Sequence, residues 1–374
     1  MDIVAATRSY EAWLFGRIAP VQADLEYKHR QMADPADPFP FFRGTYYRWV
    51  QHWATAAGDL AAAPAVLAVG DLHVENYGTW RDGEGRLVWG VNDFDEADRL
   101  PYTNDLVRLA ASARFAHKDG GLGLKLGVAC RAVLAGYREA LAAGGVPFVL
   151  EERHPELRAL AMAADREPIR FWKKLTAVLA DPPAAPPPAA LEALTRDLPA
   201  DGLVPQYRAR PRVGMGSLGK PRFVALAEWA GGWVAREAKT VAPPATAWAA
   251  GGANPGPSPM AEAVARAVRC HDPFYRPGPE WIARRLAPRC SRIELAHLTQ
   301  TADAERLLRA MGGETANVHL GTAGADTAIL ADLKHRPDGW LEAAARSLGK
   351  LVEDDWQQWR ATAGHSPSSP SSSS

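Results

Sequence analysis

A chain of 374 residues, 47% hydrophobic and 23% charged, has material for two lobes with sizeable cores, and this excludes general disorder. Its 43 Lys and Arg balance 43 Asp and Glu, so no net field draws nucleic acid or an anionic membrane as a main partner. Three cysteines, Cys130, Cys270 and Cys290, are too few and too scattered for a disulfide framework or a zinc site. Met1-Asp2-Ile3 starts no basic, then apolar, leader, and no apolar run has the length of a bilayer span. The expectation is a soluble, cytoplasmic protein with reduced thiols.

From Asp2 to Met32 the apolar residues Trp13, Leu14, Ile18, Val21 and Leu25 recur at three- and four-residue steps, which predicts helix. Prolines between Asp34 and Pro40 break it. Phe41-Phe42-Arg43-Gly44 leads into a second helix with Tyr47, Trp49, Val50 and Trp53. Arg43 has paired donors suited to an oxyanion, and equally to a carboxylate of the acidic cluster that follows.

That cluster begins where two apolar runs end. Ala65–Val69 and Leu87–Val91 are short enough to be buried strands, and Arg81-Asp82-Gly83-Glu84-Gly85 between them reads as a hairpin loop. Strands side by side would bring Asp71, Asn76 and Asp93 to one end of the hairpin. An Asp, an Asn five residues on and an Asp beyond a hairpin are parts a phosphotransferase uses: one carboxylate facing the acceptor hydroxyl, and an amide plus a carboxylate holding Mg2+. Asp and Asn near glycines also form ordinary turns. Five acidic or amide groups at strand ends, Asp71, Asn76, Asp93, Asp95 and Glu96, favour a functional site.

Pro101–Leu106 opens a helix carrying Leu106, Leu109, Ala110 and Phe115, with Asp105 in the first turn, where the helix dipole favours a carboxylate. Helical patterns continue over Leu124–Ala143, Pro155–Ala164 and Ile169–Leu179, and proline-rich Asp181–Pro188 is a stiff joint between lobes. Arg212–Gly219 then carries G-x-G-x-x-G in Gly214, Gly216, Ser217 and Gly219. Such glycines let backbone amides approach phosphates, although a glycine-rich hairpin turn has the same composition. Strands follow at Phe223–Leu226 and Trp233–Lys239, the latter offering Arg236 and Lys239 to phosphates. Trp281–Leu286 and Ser291–Leu295 read as further strands, and Leu298–Met311 as an amphipathic helix. Gly312–Gly321 reads as a glycine-bounded turn holding Glu314, Asn317 and His319, polar groups that could otherwise line the cleft, and Trp340–Ala363 as a closing helix. His365–Ser374 has a disordered composition. The division this suggests is 1–62, 63–188, 189–295, 296–364 and 365–374.

GDLHVENYG and VNDFDEA resemble the catalytic loop H-G-D-x-x-x-x-N and the metal segment I-D-F or I-D-W of the aminoglycoside phosphotransferase and protein-kinase-like superfamily. FFRGTYYRW, GDLHVENYG, NDFDEADRLPYTNDLVRLAAS and VGMGSLG resemble more closely the DUF2252 family of uncharacterised bacterial proteins, from about Lys28 to about Asp332. The resemblance implies an α+β, protein-kinase-like two-lobed fold, with a mainly helical large lobe and a small antiparallel-sheet lobe. It implies ATP and Mg2+ as cofactors, Asp71 as catalytic residue, and Asn76, Asp93 and Asp95 around the metal. Gly214, Gly216, Ser217, Gly219, Arg236 and Lys239 would hold the nucleotide, and Asp105 would brace the catalytic loop.

Two positions depart from the pattern: Val69 stands where kinase-like enzymes usually have His, and Arg236 where related DUF2252 sequences have Lys. The order is also inverted, with the catalytic-loop motif first. A circular permutation reconciles it and would set Gly214–Gly219 across a cleft from Asp71 and Asp93. The implied reaction is phosphoryl transfer from ATP to a hydroxyl of an unidentified small-molecule or protein acceptor. A nucleotide-binding pseudokinase with a regulatory role is the alternative. Gly-Asp-x-His also opens metallophosphoesterase sites, but the Asn-His pair and His-x-His those require are missing, and His271, His297, His319 and His335 stand alone.

Overall fold

The computed structural model describes residues 1–116, 123–162, 167–252, 256–290 and 301–363. Within them the chain forms ten strands: β1 Ala65–Ala68, β2 Tyr77–Arg81, β3 Leu87–Val91, β4 Asp98–Pro101, β5 Phe148–Val149, β6 Gln206–Ala209, β7 Arg222–Trp229, β8 Gly232–Thr240, β9 Arg276–Pro277 and β10 Trp281–Leu286. With the helices between them this is an α+β architecture. The hairpin expected between Ala65–Val69 and Leu87–Val91 has different partners. β1 pairs with β4, while β3 pairs with β2, a strand the sequence reading passed over because Thr79 and Arg81 interrupt its apolar pattern. Asp82 to Arg86 closes this β2–β3 hairpin, with Asp82 accepting from the Glu84 and Arg86 amides.

The predicted N-terminal helix is two helices, Ile3–Phe15 and Gln22–Met32, separated by a segment containing Gly16 and Pro20. Asp2 caps the first, accepting from the Ala5 amide at 2.7 Å. One hydrophobic core runs from Ile3 through Trp49, Val91, Leu106 and Met311 to Trp359, so the first and last described helices pack into the body that holds β1 to β5. The helices Leu126–Ala142 and Thr301–His319 cross at its centre, and the glycine-bounded turn expected at Gly312–Gly321 is instead mostly helix.

Gly312 and Gly313 serve that crossing. A Cβ at Gly312 would lie 2.0 Å from the Val133 carbonyl oxygen, and one at Gly136 1.8 Å from that of Arg309. Backbone touches backbone here, so neither side can yield as a rotamer would. Gly312→Ala is expected to lower the urea midpoint by the equivalent of about 1–3 kcal/mol, the usual range for overpacking. An unchanged midpoint would show that the helices can separate freely.

The antiparallel sheet β6-β7-β8-β10-β9 carries small clusters on both faces. Val224, Leu226 and Ala235 face Leu175 of helix Pro168–Thr176, and Ala225 and Ala238 face Leu194 of helix Pro188–Thr195. Strand alternation then decides what points at the body: Glu237 and Lys239 share the face of Ala235, whereas Arg236 lies on the other. Ser291–Leu295, the start of Leu298–Met311 and the tail from His365 lie outside the described residues.

Candidate functional site

Gly70 makes the first turn of the site possible. It takes φ +81°, and a Cβ there would meet the Glu96 carbonyl oxygen at 2.1 Å, so only glycine lets the two acidic segments touch. Asp105 pins the turn, accepting from the amides of Val69 (2.7 Å) and Gly70 (3.0 Å), and is itself in contact with His319 Nε2 at 3.1 Å. Asp71 follows. Its Oδ1 accepts from Arg108 Nε at 2.7 Å, and the buried Arg108 guanidinium sits 4.1 Å from the Phe42 ring centre. Burial raises the Asp71 pKa above the usual carboxylate range against the pull of Arg108 and Arg43, and Asp93 adds to the rise.

Asn76 joins the two acidic segments. Its Nδ2 donates to the carbonyls of Asp71 (3.2 Å) and Asp93 (3.0 Å), while its Oδ1 is buried with no hydrogen-bond partner. Asp93 accepts from Lys239 Nζ at 3.1 and 3.2 Å, and Asp95 Oδ1 lies 2.6 Å from the same ammonium. Burial opposes the Asp93 charge, but Lys239, Asp95 and Arg284 outweigh it and hold this carboxyl well below its ordinary range. Asp95 moves the other way, raised by burial and by Asp93. One member of the pair is thus firmly ionised while the other holds its proton more readily.

The glycine-rich segment lies at the tip of the β6–β7 hairpin as a short 3-10 turn, Met215–Ser217. Gly214, Gly216, Ser217, Asp71, Asn76, Asp93 and Asp95 line one narrow pocket of about 60 Å3. A Cβ at Gly216 would lie 3.5 Å from Asp71 Oδ2, which measures how close the turn comes. Gly219 is turned outward: its Cβ position is filled by Leu25, and its carbonyl accepts from the Val21 amide at 2.8 Å.

Arg236 does not reach the pocket. It donates to the Asp197 carbonyl at 2.6 Å and lies 4.6 Å from the Phe274 ring centre, because strand alternation separates it from Lys239. Of the two readings of Arg43, the carboxylate pairing is found, with Glu75 at 2.5 Å. Glu314, Asn317 and His319 are buried helix residues that tie elements together. Glu314 Oε1 accepts from the Val91 amide, Asn317 Nδ2 donates to the Val146 carbonyl, and His319 Nδ1 meets the Tyr137 hydroxyl.

Four pocket or support residues escaped the sequence reading in these roles: Arg108, Lys220, Lys28 and Glu96. Arg108 lies three residues beyond Asp105 in the same helix and Lys220 directly follows Gly219, but only packing between distant segments brings them to the pocket. Glu96 had been counted only with the acidic cluster. Its Oε2 accepts from the Ala245 amide at 2.6 Å, and burial carries its pKa up to about 7 against the attraction of Lys220. Among the described residues no group of three or more His, Cys, Asp and Glu is arranged to hold a metal. None of their helices is long and apolar enough to cross a membrane.

Residues 20–176 match the family model DUF2252, described as an uncharacterized protein conserved in bacteria. Over these residues, fewer than half of the chain, the sequence is similar to that family. The matched span contains Asp71, Asn76, Asp93, Asp95, Asp105 and Arg108, whereas the glycine-rich turn and Lys239 lie beyond it. No curated protein and no solved structure matches the chain.

Proposed function

We propose that this protein is an ATP- and Mg2+-dependent phosphotransferase of kinase-like type, acting on a hydroxyl group. The observation that carries the reading is convergence. A glycine-rich turn and an Asp-Asn-Asp set line one pocket, and a strand lysine, Lys239, pairs with two of its carboxylates, Asp93 and Asp95. These are the parts that phosphoryl transfer needs, since it relies on positioning and charge stabilisation rather than protein covalent chemistry. The donor types suit Mg2+: Asn76 Oδ1 is a buried oxygen with no partner, and Asp93 and Asp95 offer the hard carboxylate oxygens such an ion takes. Bound there, the ion would neutralise phosphate charge. Lys239, which now lies between the two carboxylates, would turn to the phosphates.

In this reading Asp71 Oδ2 orients the acceptor hydroxyl and takes its proton. The acceptor oxygen bonds to the γ-phosphorus as the bond to the β,γ-bridging oxygen breaks and ADP leaves. Arg108 keeps Asp71 in one orientation by holding Oδ1. Ligand pockets enclose roughly 300 Å3 or more, so a bound nucleotide would need this pocket of about 60 Å3 to widen. A second reading, nucleotide binding without transfer, is favoured by the same Arg108 contact, which draws charge from the intended base.

The test is calorimetry with Mg-ATP. Binding in the millimolar range or tighter is expected, and Asp93→Asn should weaken it about tenfold or more by removing a charged ligand of a hard cation. No heat and no thermal shift at millimolar Mg-ATP would end both readings. ADP release separates them.

A further inference from the structure

Lys28 and Lys220 enter the pocket from separate parts of the chain, one on helix Gln22–Met32 and the other directly after Gly219. Each is 5% exposed. A buried ammonium normally surrenders its water only for hydrogen-bond acceptors, since a desolvated charge without them is costly. Among the described residues Lys28 has no carboxylate at ion-pair distance and only the Tyr47 ring 5.9 Å away, while the nearest carboxylate to Lys220 is Asp95 at 3.9 Å. The Tyr46 hydroxyl, buried on the same wall, also has no partner. Two ammonium groups and one hydroxyl, none with a hydrogen-bond acceptor among the described residues, thus line one pocket with Asp71.

We propose that Lys28, Lys220 and Tyr46 form a subsite for an oxyanion, a carboxylate or phosphate group carried by the hydroxyl compound that accepts the phosphoryl group. The subsite stands on the geometry above, and its assignment to the acceptor rests on the phosphotransferase reading. Lys28 supports that assignment. The charges that act on it are Glu11, Lys220, Glu96 and Asp71, whereas Asp93 and Asp95 surround Lys239. Lys28 thus acts beside Asp71, the intended base, whereas Lys220 also lies 3.9 Å from Asp95. Burial lowers the Lys28 pKa, with Lys220 adding to the fall and Glu11 opposing it, and a bound anion would reverse that cost.

The full-length chain, without nucleotide or Mg2+, is titrated with inorganic phosphate and separately with acetate. The stronger-binding of the two identifies which oxyanion the subsite takes. Binding should weaken tenfold or more in Lys28→Met and in Lys220→Met. Tyr46→Phe, which deletes one hydroxyl and leaves the ring, should weaken it severalfold and guards against a lysine variant that fails to fold. Lys28→Met should bind Mg-ATP within twofold of the parent. Absence of phosphate and acetate binding, or binding that survives all three substitutions, overturns the subsite. Loss of Mg-ATP affinity in Lys28→Met, in step with phosphate, reassigns these donors to the nucleotide and overturns the acceptor assignment. Lys28-dependent phosphate binding in a parent that binds no Mg-ATP keeps the subsite and removes the phosphotransferase reading instead.

Discussion

Asp71→Asn is expected to bind Mg-ATP as the parent does and to release ADP about a hundredfold more slowly or worse, the usual scale for a lost positioned base. The substitution keeps the shape of the side chain and leaves an oxygen for Arg108 to hold, but removes the proton acceptor. The ligands proposed for the metal are Asn76, Asp93 and Asp95, whose contacts do not pass through the Asp71 carboxylate. A cost in stability should accompany the change, because Arg108 is fully buried and loses its counter-charge. Rates are therefore compared well below the unfolding temperature.

The pH profile gives a second readout. Burial raises the Asp71 pKa, so its proton-accepting form is present above that raised value and is lost as the pH falls through it. In the parent, ADP release should decline on the acid side earlier than an ordinary aspartate would cause. In Asp71→Asn that limb should vanish. A variant that keeps the parental rate takes Asp71 out of the chemistry. One that loses metal-dependent binding, while Asp93→Asn does not, exchanges their roles.

How much of this could be read from the sequence depends on how local each feature is. The pocket's acidic contents were legible because Asp71, Asn76, Asp93 and Asp95 lie within twenty-five residues, at the ends of apolar runs. Strand pairing was not. Pairing β1 with β4 requires the whole β2–β3 hairpin to fold between them, and no local pattern reports that. The choice between Arg236 and Lys239 was a question of strand phase, and two-residue alternation settles it only once one neighbour's face is known. The glycines at 312 and 313 misled for a different reason. Local propensity makes Gly-Gly a turn, but close contact with the helix Leu126–Ala142 repays the propensity loss. Lys28, Arg108 and Lys220 owe their positions to packing between distant segments, and composition cannot distinguish them from surface charges.

The largest stability effect away from the pocket is expected at Glu237. This side chain is fully buried on β8 and holds three guanidinium groups: Arg210, Arg222 at 3.1 Å and Arg284 at 2.7 Å. Burial alone would raise its pKa, but Arg222, Arg284 and Arg210 overcome that and hold it well below the ordinary glutamate range. Glu237→Gln keeps the volume and removes the charge. Arg210 and Arg284 retain some solvent contact and can turn away, whereas Arg222, with 6% of its side chain exposed, cannot. The expected loss is about 3 kcal/mol, the lower end for breaking a buried ion pair, measured as a shift in the urea midpoint at constant m. Because the folded pKa is depressed, the contribution is fully present above the unfolded value of 4.5 and is lost only as the pH falls toward the folded one. The gap between parent and variant should therefore stay constant from pH 8 to about pH 5 and close below it. Arg222 underlies Gly214, and Arg284 helps hold Asp93 ionised, so the variant should also bind Mg-ATP more weakly. A shift below about 1 kcal/mol, the scale of a solvent-exposed ion pair, would mean that water reaches the three arginines and that Glu237 does not organise this side of the site.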